Sequence, residues 1–578
     1  MLTSLLRFEI RFQVKQVSVL LFAVLALAYG ISITASEMGE GMQLLTLNAP
    51  YRINFFVAVT SVLGLFVTMI LSVNSGLRDR EHNFDGITGI LSLKQQYMSR
   101  FMVTLVCSLI IITGIGAGLF LGLFSFGLDS DRVSSPQFAH YFWPWLIFVV
   151  PNVFIMTSLL FLTTVKFGKA IFTYALAVGL FLYFWITIGL SNAPLLGPSI
   201  MANAGLVSFV ALIEPFGVIA FFEQTQFWTA PIKNQQTISF SGSLMMNRLI
   251  WVGIAGLLLG LLKYTVHEAT KTARKKHSSG KPVLDSPAAA KFTWLTQDTT
   301  TLAYQLSSFT GLLRRETSLI TSGWGFRIIL TLWSAAVIFG IYMATTGFSG
   351  GEVSSRLPTT ALIFGYTGEL IPPFCTLFLV YYVAEKISQE RLVKIDGLIN
   401  VTPVSNLHTY LSKLLSLMVL PIAMISVIIV VGMSYQALYG YYHFEIGHYL
   451  SMLYYFGLPL FIKTVSLYFI QSAVAKSRFA NIYVGIVISG LLLLLLSNLG
   501  SISQINIPML NIGYFPSLVR AHTELAGYGV TADEFHWYAG LWSMLFLPLA
   551  LYTVTASSRI TGTDTNNSST DWKASDHD

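Results

Sequence analysis

Charge is what this sequence has least of: Asp, Glu, Lys and Arg together supply only 11% of its 578 residues. Soluble domains carry roughly 25%. A soluble globule of this length could not cover its surface with so few charges, so that class is excluded. The same scarcity, with a mean hydropathy of +0.67, excludes a disordered chain. Cysteine is almost missing. Cys107 and Cys375, the two present, both sit in apolar runs, which excludes a disulfide framework. No G-x-x-x-x-G-K-[ST] occurs; SSGKP at 278–282 lacks the first glycine and the final Ser/Thr. The chain therefore has no loop of that kind to cradle ATP phosphates. HExxH is absent too, and His443, Glu445 and His448, the densest polar cluster, read as aromatic-rich interface rather than a metal site. No metal, no resident cofactor, no catalytic residues and no nucleic-acid partner are expected.

What is present is apolar length. A helix needs about 20 apolar residues to cross a bilayer core. Hydropathy predicts twelve such spans, at about 17–35, 54–74, 101–126, 142–165, 170–190, 249–266, 327–346, 359–384, 414–437, 448–474, 479–497 and 541–557. The expected fold class is an all-α polytopic membrane protein. A further apolar stretch, 202–222, is interrupted by Glu214-Pro215. With twelve spans and the N-terminus inside, 27 of the 34 Lys/Arg fall on inner segments, six on outer segments, and Lys463 within a span. That excess follows the positive-inside rule. Both termini are expected to be cytoplasmic, and 202–222 to dip into the outer leaflet and return. Before the first span, Leu5, Leu6, Ile10, Phe12 and Val14 alternate with Arg7, Glu9, Arg11 and Lys15. This pattern fits a helix lying in the membrane interface rather than a cleaved leader.

The chain also repeats itself. LLRFE at 5–9 recurs as LLRRE at 312–316, each before an odd-numbered span. After the second span of each half comes a loop of matching chemistry, DREHNFDGITGILSLKQQYMSRFM (79–102) and ERLVKIDGLINVTPVSNLHTYLSKLL (390–415). Asp79-Arg80 aligns with Glu390-Arg391, and Asp85-Gly86 with Asp396-Gly397. Six spans per half is an even number, so the halves run parallel and are related by an axis along the membrane normal. The expected division is a first half at 1–266, a cytoplasmic linker at 267–308, a second half at 309–558 and a polar tail at 559–578. Each inner loop is too long for a simple connection, and two equivalent loops point to a shared docking role.

The second loop resembles that of type-2 ABC exporter permeases, in which an E-R…G-L-L…T-P-V-S…K-L-L pattern precedes the third span. The first loop departs from it, with SLKQQ where TPVSN would align. The interfacial elbow helix, the six-span unit and the outer re-entrant segment are similar to that family as well, and the resemblance covers both halves. The segment 212–251 also resembles fused two-half bacterial permeases sometimes linked to M1-type aminopeptidases. The resemblance implies a permease of the bacterial inner membrane that exports a substrate by alternating access. Its inner loops, with Asp79, Arg80, Asp85, Gly86, Glu390, Arg391, Asp396 and Gly397, would contact two copies of a separate cytoplasmic ATPase. ATP and Mg would be used by that subunit, and a periplasmic or peptidase partner is a further implication. The substrate is not identified by sequence.

A twelve-span, ion-coupled carrier of the major-facilitator type has the same span count. GLRDR at 76–80 is close to the loop signature of those carriers, but the spacing is one short and no basic cluster follows. Such carriers generally need several ionisable groups at mid-membrane depth. Glu369 and Lys463 are the clear cases here, both in the second half, with apolar counterparts near Ala58 and Val153 in the first. Their comparable depth fits either a structural ion pair or a lining of the transport path.

Overall fold

In a computed structural model of the protein, the described residues are 2–35, 44–81, 93–125, 128, 130–195, 201–278, 301–346, 348–349, 352–353, 356–368, 370–393, 405–474, 478–491 and 532–548. They are almost wholly helical. Their one strand pairing is the two-residue hairpin of Phe348–Ser349 with Glu352–Val353. Among them, eight helices are long and apolar enough to cross a membrane, or nine if the bent pair at the N-terminus is one span. The architecture is that of a multi-pass helical membrane protein. Of the twelve expected spans, 17–35 is the second arm of that bent pair, and 359–384 is broken into Thr360–Thr367 and Ile371–Val393. The expected spans 479–497 and 541–557 are described only as far as 491 and 548. Of the expected linker 267–308, residues 279–300 lie outside the described residues, as do 549–578, which include the expected tail 559–578.

Contacts divide the chain into two units. The first holds the described residues as far as Ser278, with those of 342–357 and 487–491; the second holds 301–341, 358–486 and 532–548.

In the first unit, α1 (Leu2–Val14) meets α2 (Val17–Ala35) at a bend of 63°. After it come α3 (Pro50–Ser61), α4 (Gly64–Glu81), α5 (Leu93–Leu121), α6 (Phe138–Phe167) and α7 (Ala170–Ser191). Helix α5 begins well before the apolar run at 101, because its first two turns are an amphipathic extension carrying Lys94, Gln96 and Arg100. Within α6, Pro151 has no N–H to give, and a π turn at Trp145–Val149 takes up the register.

Helices α2 and α5 pack along a glycine seam. A Cβ on Gly30 would overlap the Ile115 carbonyl and lie 2.9 Å from the Gly118 Cα; one on Gly118 would overlap the Leu27 carbonyl. One turn on, a Cβ on Gly122 would meet the Thr34 Cβ at 2.7 Å. Gly114, Gly118 and Gly122 recur every four residues, the small-residue spacing that lets apolar helices approach backbone to backbone in lipid.

The second unit is built on α12 (Leu302–Thr321), α13 (Trp324–Thr346), α14 (Thr360–Thr367) and α15 (Ile371–Val393). It continues through α16 (Asn406–Leu417), α17 (Val419–Leu438), α18 (Ile446–Val474), α19 (Arg478–Ile486) and a helix over 532–548. Leu414, Ile462, Val465, Trp542 and Phe546 form one core cluster that joins α16, α18 and the last helix. The second unit has a different buried contact. Trp333 of α13 is fully buried and donates its indole N–H to the Met424 carbonyl of α17 at 3.0 Å.

Candidate functional site

The repeated LLRxE motif becomes a charged clamp in both units. In the first, Glu9 faces inward from α1 and is 3% exposed, while its neighbours Arg7 and Arg11 are exposed. Its carboxylate accepts from Arg78 of α4 at 2.7 and 3.1 Å and from Arg100 Nε of α5 at 3.1 Å. The Arg100 Nη2 then donates to both oxygens of Asp79 at 2.8 Å, and Gln96 donates to Asp79 at 2.7 Å. Arg78 also lies over the Phe12 ring, its Cζ 4.3 Å from the centroid. Below the clamp, Gln13 donates to Ser75 at 2.6 Å. The bidentate guanidinium geometry fixes direction as well as charge. Helix α1 is thus tied to the ends of the two helices that flank residues 82–92.

In the second unit, the equivalent Glu316 of α12 is buried and accepts from the Lys386 ammonium of α15 at 2.5 Å, which also donates to the Glu316 carbonyl at 2.9 Å. Lys413 of α16 is buried and its charge acts on Lys386. Ser412-Lys413, near the start of α16, resembles Ser99-Arg100 near the start of α5 in residue type. Each unit thus has a buried carboxylate on its first helix paired with a cation of a later helix, Arg78 of α4 or Lys386 of α15, with a further buried cation near the start of α5 or α16. LLRxE was legible as a repeat. What its glutamate does was not, because an acid on an amphipathic helix reads as solvent-facing until its partners are placed.

Of the loop residues singled out from sequence, Asp79 is engaged by Arg100 and Gln96. Arg80 lies in the last turn of α4, and Glu390 and Arg391 in the last turns of α15, with side chains outside those described. Asp85, Gly86, Asp396 and Gly397 lie outside the described residues, as does Glu369. Lys463 sits mid-helix in α18. No group of three or more His, Cys, Asp or Glu positioned to hold a metal occurs among the described residues. The His448 ring packs on Phe364 at 4.9 Å, and that of His443 on Tyr441 at 5.7 Å.

A second buried polar network lies at the other end of the first unit. The segment 202–222 folds as α8 (Ala204–Ile213) and α9 (Val218–Thr225), which pack on each other across the Glu214-Pro215 break. At about 1.5 Å per residue, neither crosses a core of roughly 30 Å. Glu214 is fully buried and caps α9, accepting from the Phe216 N–H at 2.8 Å and the Ile219 N–H at 3.4 Å. Arg248 of α11 (Gly242–Ser278) donates to Asn152 Oδ1 at 2.7 Å, to Asn247 Oδ1 at 2.7 and 3.0 Å, and to the Pro215 carbonyl at 3.2 Å. Asn247 donates to the Ala211 and Glu214 carbonyls, both at 2.6 Å. Asn152 donates to Ser61 at 2.7 Å. Gly217 has φ +75° with the Arg248 guanidinium where a side chain would be, so both backbone and space demand glycine. Outside this lock, α10 (Ala230–Gln235) places Lys233 over the Tyr51 ring at 4.5 Å, and burial there holds its ammonium below the ordinary lysine value. Asn234 accepts from the Thr46 N–H at 3.0 Å.

No protein-family model matches this chain, and no curated protein matches it.

Proposed function

We propose that this protein is the permease of an ATP-driven ABC exporter of the bacterial inner membrane, with both termini cytoplasmic. It would move its substrate by alternating access between two six-span halves and be energised by two copies of a separate ATPase. The observation that carries this reading is the clamp made twice. Glu9 with Arg78 and Glu316 with Lys386 tie each elbow to the helix that leads into an inner loop. A solvated connection has no need of such an anchor. A loop that must pass on force from a partner does, since motion at the loop reaches the elbow only through contacts that do not slip. On this reading Arg80, Asp85, Arg391 and Asp396 meet the ATPase, whereas Asp79 holds the clamp. The outer α8–α9 hairpin, locked by Arg248, closes the far side of the first half. The chain itself would do no bond chemistry, and ATP and Mg would belong to the partner.

The test is binding of the ATPase subunit to full-length protein with both loops altered, Asp85→Ala/Gly86→Ala with Asp396→Ala/Gly397→Ala. Membrane insertion should persist while ATPase association weakens at least tenfold. Undiminished association would refute the docking role of these loops.

A further inference from the structure

The clamps leave the exposed surface of the elbows with a charge that the sequence does not show. Read along the chain, α1 alternates Arg7, Glu9, Arg11 and Lys15, a mixed pattern. In the structure Glu9 is withdrawn into ion pairs with Arg78 and Arg100, whereas Arg7, Arg11 and Lys15 remain exposed. The outward surface of the elbow is then purely cationic. It is also apolar: Phe8 is 59% exposed and Val14 61%, with Ile10 and Phe12 exposed beside them. The second elbow repeats the arrangement. Glu316 is taken inward by Lys386, Arg314 and Arg315 stay exposed, and Leu302 and Leu306 are exposed on the same helix.

Large apolar side chains among uncompensated cations, on a helix bent 63° away from the first span, match one surface chemistry. That surface is the headgroup region of a bilayer leaflet containing acidic phospholipid, whose acyl boundary takes the rings while its phosphates meet the basic groups. We infer that both elbows are acidic-lipid-binding elements, and that burying the LLRxE glutamate is what makes them so. The same ion pair does two things: it fastens the elbow to the loop-bearing helices and removes the one charge on its face that would repel a phosphate. This inference stands on the multi-pass architecture and does not depend on the exporter reading.

The test uses purified full-length protein in zwitterionic micelles, titrated with phosphatidylglycerol or with phosphatidylcholine while the thermal unfolding midpoint is followed. Each basic group near an anionic surface changes lipid partitioning by about fivefold. Phosphatidylglycerol should therefore stabilise at a mole fraction at least tenfold below that needed for phosphatidylcholine. The preference should shrink in 0.5 M salt and largely vanish in the variant R7Q/R11Q/K15Q/R314Q/R315Q. The charge-preserving variant with lysine at the four arginines should keep it. Equal response of the unaltered protein to the two lipids would overturn the inference without any variant. So would an undiminished preference in the five-site variant, or full stabilisation by inorganic phosphate alone, which would indicate a pocket for a free anion instead.

Discussion

Replacing Arg248 with methionine probes the α8–α9 lock most sharply. The guanidinium makes four hydrogen bonds, one to Asn152, two to Asn247 and one to the Pro215 carbonyl, and is 3% exposed. Its charge also acts on the buried Glu214. Methionine fills much of the volume but leaves a carboxylate and three acceptors without their cation. Removing one member of a buried charged network typically costs about 3–5 kcal/mol. Lysine keeps the charge but loses the planar fork, and hydrogen bonds to charged groups are each worth about 1.5–3 kcal/mol, so Arg248→Lys should fall in that lower range. Adding Glu214→Gln to Arg248→Met should recover about 1–2 kcal/mol, since groups in one network are not additive. The assay is unfolding of purified full-length protein by SDS titration in mixed micelles, followed by circular dichroism. A loss below about 1 kcal/mol for Arg248→Met would refute the view that this network holds the hairpin. Strict additivity of the two substitutions would refute the electrostatic coupling.

Three further outcomes are expected. Gly118→Leu should push α2 off α5 and cost at least the roughly 1–3 kcal/mol of an overpacked core, read in the same titration, whereas leucine at Gly116, which has open space around its Cβ position, should be near neutral. Glu9→Gln should lower stability by about 1.5–3 kcal/mol and raise protease cleavage within the first loop, and Glu316→Gln should do the same for the second; unchanged cleavage would show that the clamps do not hold the loops. Lys463→Met and Glu369→Gln should each destabilise by about 3–5 kcal/mol if the two groups pair, with much of the loss recovered in the double variant; simple additivity would show that they do not touch.

The helical class and the amphipathic helix α1 were legible because hydropathy and amphipathic spacing are local properties of the chain. The break at 214–217 was legible too, from Glu-Pro within an apolar run. The glycine seam was not read, although Gly114, Gly118 and Gly122 stood four residues apart on one helix. Its partner Gly30 lies far away in sequence, and only packing shows which face of α2 it meets. The clamp glutamates were hidden for a different reason. Glu9 sits between two arginines on an amphipathic helix, where a solvated face is the ordinary expectation, and its ion pairs reach 69 and 91 residues along the chain. Helix starts were placed late at α5 and α16 because their first turns carry charge, and hydropathy discounts charge even where it is paired and buried. The Trp333 indole bond to the Met424 carbonyl was not read either, since its partner lies 91 residues away.

The central claim is tested most directly by purifying the protein under mild detergent from membranes of its own cell and weighing the intact complex by native mass spectrometry. The account predicts a complex of one permease chain with two copies of a nucleotide-binding ATPase subunit, which reconstituted together hydrolyse ATP. A chain that purifies alone, and in vesicles moves substrate on an ion gradient without ATP, would contradict it.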